Sequence, residues 1–302
     1  MSAHHDHAGG KKSGGRAYAV ALVVTVLYAC IEAAGGLWSG SLALVSDSGH
    51  MFSDALSLGL AAVAARLASR PAGSRHSYGW ARAEVLGALL NGLLMLVLVV
   101  WLVVEAVQRL LSPHAVDAAP VFWIALIGLM VNGAVAYVLG HGEDTLNRRA
   151  ALVHVLGDLV SSLAALIAGA VIYYTGWQKI DPILSLVIAG LILFTTLDLL
   201  RETLHVLMEG VPPAVDFGSL GAALATVSGV ARVHDLHVWT IGANRIALSA
   251  HLEIGRLEQW PDILRAARQL LHDRFGIDHV TLQPEPVSSH RATVRVWPRG
   301  PK

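Results

Sequence analysis

Cysteine is nearly absent: the 302-residue chain holds one, Cys30. A disulfide framework is therefore excluded, as is any zinc finger built on thiolates. Charge is scarce too, at 15% of residues against about 25% in an ordinary soluble domain. Neither sign is in excess, with 22 Lys plus Arg and 22 Asp plus Glu, so the electrostatic footprint of a nucleic-acid binder is missing. No phosphate-cradling Gly-rich loop ending in Gly-Lys-Ser/Thr occurs, which argues against an ATP-driven pump. The zinc-protease pattern His-Glu-x-x-His is absent as well. What the chain does have is apolar mass, 54% hydrophobic residues with a mean hydropathy of +0.56, too greasy for a disordered chain or an ordinary cytosolic enzyme. Against that background stand 15 histidines, the side chain that most often ligates metals.

The first sixteen residues are polar and read His4-His5-Asp6-His7 before a Gly/Lys/Ser stretch, with no apolar core to make a signal peptide. They are expected to form a cytoplasmic tail. From Ala17 onward six apolar stretches follow, about 17–38, 42–67, 83–110, 120–140, 149–175 and 180–200. Each reaches the roughly 20 residues that a helix needs to cross about 30 Å of hydrocarbon. Lys11, Lys12, Arg16, Arg66, Arg70, Arg75, Arg82, Arg148, Arg149 and Arg201 all fall on one side of these spans, against Arg109 and Lys179 on the other. The positive-inside rule then places both termini in the cytoplasm. The expected membrane domain covers 17–206, followed by a soluble domain over 207–287 and a loose tail over 288–302. Within the soluble domain, 215–226 and 261–275 have helical periodicity, and 230–241, 246–254 and 279–284 read as strands. Gly242-Ala243-Asn244 marks the turn between the first two strands. The order is α-β-β-α-β.

An aspartate at the centre of a membrane helix costs on the order of 2.5–3.5 kcal/mol, so an apolar span that keeps one is a functional suspect. The second span contains His50 and Asp54, the fifth His154 and Asp158. Residues four apart share a helix face, with Cβ atoms about 5–6 Å apart. Each pair is thus a two-pronged claw, and two claws facing each other supply two imidazoles and two carboxylates. That set suits tetrahedral zinc, and its two negative charges balance the ion's two positive ones. A helix-stabilising His–Asp hydrogen bond would account for one such pair but poorly for two at identical spacing; a metal-free proton relay is the remaining alternative. Neutral imidazole binds metal and imidazolium does not, so metal and protons displace one another at such a site. Exposed alternately to the two sides, it would exchange Zn2+ for H+.

Six spans, a His-x-x-x-Asp in the second and fifth, and an αββαβ tail resemble the cation diffusion facilitator family of zinc/proton antiporters. The similarity runs from about Ala17 to Pro286 and is carried by Ser46-Asp47-Ser48-Gly49-His50-Met51-Phe52-Ser53-Asp54, His76-Ser77-Tyr78-Gly79-Trp80 with Arg82-Ala83-Glu84, and His234-Asp235-Leu236-His237-Val238-Trp239. The resemblance implies a multi-pass protein of the cell (inner) membrane, with six transmembrane helices and a ferredoxin-like cytoplasmic domain. It further implies a homodimer in the lipid bilayer, with Zn2+ and H+ as transported ions and Zn2+ as a regulatory ligand. His50, Asp54, His154 and Asp158 then form the transport site, and a His at position 50 implies a preference for zinc over cadmium. In the soluble domain the resemblance gives His234, His251 and Glu285 as metal ligands, with Gln283 where some members carry a His, and His237, Asp278 and His279 as substitutes. Strict strand alternation places His234 and His237 on opposite faces. His76 matches a ligand of a loop site whose usual companions are missing, since Gly73 and Trp80-Ala81 stand at their positions. Arg82 and Glu209 match a charge pair that interlocks membrane and soluble parts. Among polar residues inside the spans, Glu32 and Asp47 are read either as lining an approach path or as structural, and Asn132 as a bond between helices. The competing reading is a membrane metal sensor or channel without proton exchange.

Overall fold

In a bilayer every backbone N–H and C=O must find its partner inside the segment, which leaves long apolar stretches no choice but helix. The computed structural model describes residues 10–68, 70, 73–140, 146–242 and 245–287. The tail histidines at positions 4, 5 and 7, the turn residues 243–244 and the tail 288–302 lie outside them. Six long helices follow the expected stretches: α1 (Gly10–Ser39), α2 (Leu42–Ala68), α3 (Ala83–Leu111), α4 (Ala118–Gly140), α5 (Leu146–Thr175) and α6 (Ile180–Leu207). α1 starts at Gly10, inside the segment read as tail. Among the described residues, four helices are long and apolar enough to cross a membrane by length and composition, within α3, α4, α5 and α6. The described apolar part of α1, Val23–Ser39, is shorter, and α2 carries Asp47, His50, Asp54 and Arg66.

The chain divides into two compact units: Met1–Ala64 with Leu86–Arg201, and Ala65–Val85 with Glu202–Lys302. In the first, the helices pack around Leu42, Leu44, Met95, Val99, Leu102, Val121, Ala165, Ile172 and Ile188. α4 and α5 form the tightest pair: a Cβ on Gly169 would lie 2.8 Å from the backbone nitrogen of Phe122. Only glycine admits that approach, the close-packing role small residues take in membrane bundles.

A buried acid fixes the start of α2. The chain reverses at Gly40 (φ 75°), leaving the first N–H groups of α2 without helical partners. Asp181, at the start of α6, accepts from Ser41 Oγ at 2.5 Å, from the Leu42 N–H at 2.7 Å and from the Ala43 N–H at 3.3 Å. A carboxylate at the positive end of a helix dipole is also favourably placed. Arg109 of α3 donates to the Gly40 carbonyl and pairs with Glu105 at 2.8 Å.

The second unit builds α7 (Phe217–Ala225), β1 (Val230–Gly242), β2 (Arg245–Ile254), α8 (Trp260–Phe275) and β3 (His279–Pro286), in the expected αββαβ order. Asp216 caps α7 by accepting from the Gly218 N–H, and Gly276 (φ 65°) ends α8 in the left-handed conformation that glycine supplies at no cost. The sheet order is β1-β2-β3, antiparallel then parallel. Leu220 and Leu224 of α7 and Ile263, Ala267 and Leu271 of α8 pack on Val238, Leu248, Ala250 and Leu252. The segment between α2 and α3 belongs to this unit: Ala81 packs with Ile241 and Ala247, and Tyr78 meets His279 edge-on at 5.6 Å.

Candidate metal centres

On α2 the helical repeat stacks His50 over Asp54, and His50 Nε2 lies 3.6 Å from Asp54 Oδ2. From α5, Asp158 brings its Oδ1 to 3.9 Å from the same nitrogen. One donor atom of each of the three lies within 4.8 Å of the others. Ligand bonds of about 2.0–2.2 Å at tetrahedral angles separate donor atoms by roughly 3.4 Å, so a small contraction closes the group on zinc. His154 stands one helical turn before Asp158 on α5, and its side chain lies outside the described residues.

Beside this group runs a buried polar network. Tyr28 donates its hydroxyl to Glu32 at 2.6 Å, and that oxygen also lies 2.8 Å from the Ile124 carbonyl. Ser161 donates to Asp47 and its hydroxyl also meets the Asp158 carbonyl at 3.1 Å. Ser162 donates to the other oxygen of Asp47 at 3.2 Å and accepts from Asn132 at 3.2 Å. Glu32 and Asp47 are completely buried. Asn132 makes the bond between helices expected of it. The serines were missed in the sequence, although an adjacent Ser pair in an apolar span and a Tyr four residues before a Glu are visible there. Ser161, one turn after Asp158, thus ties α5 to Asp47 on α2 by a hydrogen-bonded strut beside the site.

The second group lies on the sheet face opposite α7 and α8. His234 and His251 are direct cross-strand partners, with ring centroids 5.3 Å apart. Glu285 of β3 reaches both, His234 Nε2 at 2.9 Å with one oxygen and His251 Nδ1 at 2.9 Å with the other. Two imidazoles and a carboxylate are the donor set that zinc takes, with a fourth position left open. Glu253, held by Arg232 at 2.5 Å, stands 3.8 Å from His234 Nε2. Gln283 donates to Glu285 at 3.3 Å and so steadies the carboxylate from the position where some members carry a His.

The alternation argument for His237 fails here, and a β-bulge is the reason. His234 pairs with His251, but the next partner pair is His237 with Ser249, so β1 advances one residue more than β2. Asp235 absorbs the extra residue in the left-handed region, at φ 48°. The side chains of β1 from Leu236 to Thr240, where the register shifts again, are thereby switched to the other face. His237 comes onto the same face as His234, while Val233 and Val238 both face the core. The odd spacing of those two valines was the signal for the bulge. His237 Nε2 lies 2.9 Å from Asp235 Oδ1, and that hydrogen bond holds the Asp235 carboxyl below the usual carboxylate range.

Other expected ligands are placed elsewhere. Asp278 bonds His272 at 2.6 Å, and His279 faces Tyr78. His76 stacks on Trp80 at 4.6 Å, and no metal-competent group among the described residues includes it. Arg82 and Glu209 form an ion pair at 2.9 Å.

A bundle of apolar helices holding a His–Asp–Asp group, joined in sequence to an αββαβ domain with a second His-rich group, defines a membrane cation-handling protein. The family description "Cation efflux transmembrane domain" matches residues 18–208, and "Cation efflux protein, cytoplasmic domain" matches 212–287. The chain belongs to the cation efflux family, the cation diffusion facilitators, which are transporters and not enzymes. It is 40% identical over 91% of its length to the "Zinc transporter ttm-1" of Caenorhabditis elegans, covering 73% of that protein. It is 34% identical over 94% of its length to the "Zinc transporter ZitB" of Escherichia coli, covering 93% of it. To the "Cadmium, cobalt and zinc/H(+)-K(+) antiporter" of Bacillus velezensis it is 36% identical over 94% of its length, covering 92%.

Proposed function

We propose that this protein exports divalent cations, chiefly Zn2+, from the cytoplasm in exchange for protons by alternating access. All six long helices cross the inner membrane, both termini are cytoplasmic, and two copies form a homodimer. The transport site is His50, Asp54, His154 and Asp158. The observation that carries the reading is the convergence of His50, Asp54 and Asp158 from two apolar helices within 4.8 Å. Three ligands meeting at membrane depth, each costly to place there alone, are accounted for by a doubly charged cargo. The mechanism follows from the donor set. With both His residues neutral and both Asp residues ionised, the site holds Zn2+ with no net charge. When it opens to the more acidic side, protons compete for the same nitrogens and oxygens, and the metal leaves. Proton entry on the return step resets the site without ATP.

The sheet group of His234, His251 and Glu285 is the regulatory metal site, and the Arg82–Glu209 pair anchors the hinge through which it acts. Liposomes holding purified protein, an internal zinc dye and an imposed pH gradient test the whole reading. Zinc flux should follow the pH gradient and reverse with it. Flux indifferent to the gradient would leave a channel, and zinc binding without flux would leave a sensor.

A further inference from the structure

His251 meets two carboxylates at opposite nitrogens. Nδ1 faces Glu285 at 2.9 Å, while Nε2 faces Asp235 Oδ2 at 3.5 Å. The first nitrogen points into the group formed with His234 and the second points away from it. A metal-binding imidazole as a rule gives its other N–H to a carboxylate or carbonyl, which fixes the ring and its tautomer. Asp235 is available for that role only because of the bulge. In a regular strand the residue after His234 points through the sheet toward the helices; at φ 48° it is turned back to the histidine face. A non-glycine residue in the left-handed region is uncommon, and such positions cluster at functional sites. The orientation is itself buttressed, since the other oxygen of Asp235 is tied to His237 Nε2 at 2.9 Å.

We propose that Asp235 is a positioning residue of the sheet centre: placed by the bulge, it accepts the Nε2–H of His251 and leaves Nδ1 to bind a divalent cation together with His234 and Glu285. His237 holds Asp235 in place and does not touch the metal. The 3.5 Å separation is a few tenths longer than a good hydrogen bond, and rotation of the ring onto a bound ion closes it. The inference rests on the reading that His234, His251 and Glu285 bind metal.

The test uses the full-length protein in detergent, carrying Asp54→Ala and Asp158→Ala so that the membrane group no longer binds. Zn2+ affinity is measured by competition with a chelating dye, and Co2+ absorption reports ligand identity. Asp235→Gly keeps the left-handed backbone at no steric cost and removes only the carboxylate. It should weaken Zn2+ binding about 10- to 100-fold without lowering the metal-free Tm. Asp235→Asn retains an oxygen that accepts from Nε2–H and tolerates the same φ, so affinity should stay within a few-fold and the Co2+ spectrum should not change. His237→Ala should cost less than Asp235→Gly. Wild-type affinity in Asp235→Gly overturns the proposal. So does an Asp235→Asn variant as weak as Asp235→Gly with an altered Co2+ spectrum, which would make the carboxylate a ligand. Glu285→Ala is the control for the underlying reading: if it leaves Zn2+ binding untouched, the centre itself is misplaced and the role of Asp235 falls with it.

Discussion

In the sheet, His234 and His251 face each other across a backbone ladder, and Glu285 is brought in by the next ladder, between β2 and β3. In the helical unit, His50 and Asp54 meet Asp158 across two helices whose backbone hydrogen bonds are internal to each. Ladder hydrogen bonds set the spacing of the first group to within the pleat, and moving one ligand alone means breaking them. The second group is set by side-chain packing and by the Ser161 strut, which a tilt or slide of one helix can open. A site that must release its ion fits the second construction, and one that reports on ion concentration fits the first. The proposed division of labour follows from this contrast in backbone.

The largest expected effect breaks the comparison if it fails. Asp158→Ala or Asp54→Ala should lower zinc flux in liposomes on the order of 100-fold or more, because removing one charged ligand from a low-dielectric site costs several kcal/mol. Zinc binding at the sheet group should persist in both variants, and its loss would mean the two centres are not independent. Next, Asp181→Ala should destabilise the helical unit by about 1–3 kcal/mol, since it strands buried donors at the start of α2. Thermal unfolding in detergent reads this, and an unchanged midpoint would remove Asp181 from the architecture. Smaller still, Arg82→Glu or Glu209→Arg should slow transport, and the double reversal should restore part of it. Both side chains are well exposed (39% and 60%), so little of that change should come from stability. Equal transport in all three variants would dispose of the hinge role.

The smallest effect is expected at the His272–Asp278 pair. The hydrogen bond that His272 donates to Asp278 raises the His272 pKa. The protonated form is therefore favoured by folding, and its contribution is full below the unfolded value of about 6.5 and fades as pH rises through the folded one. Asp278→Asn should return the His272 titration, followed by NMR, toward the ordinary value. Zinc binding at the sheet group should be unaffected.

Much of this was legible in the sequence because it is local. The His-x-x-x-Asp spacings, the apolar stretches and the αββαβ pattern each need only a helical or strand period to be read. What was hidden depends on residues distant in the chain. The bulge at Asp235 is defined by the pairing of β1 with β2, and until it is known the face that His237 occupies is read wrongly. Asp181 looks like a loop acid next to a proline, and only the approach of α6 to the start of α2 gives it three donors. Ser161 and Ser162 look like ordinary small residues of a membrane helix until Asp47 is set against them. The placement of residues 65–85 with the soluble domain is likewise a matter of packing, since Ala81 and Tyr78 show nothing unusual on their own.

The close fit at Gly169 has a mechanical consequence. At Gly169 the α5 backbone rests directly on Phe122 of α4, with no side chain between them to slip or repack. The same helix carries Asp158. A side chain wedged in at position 169 would press α4 and α5 apart, and should slow transport without touching a single ligand.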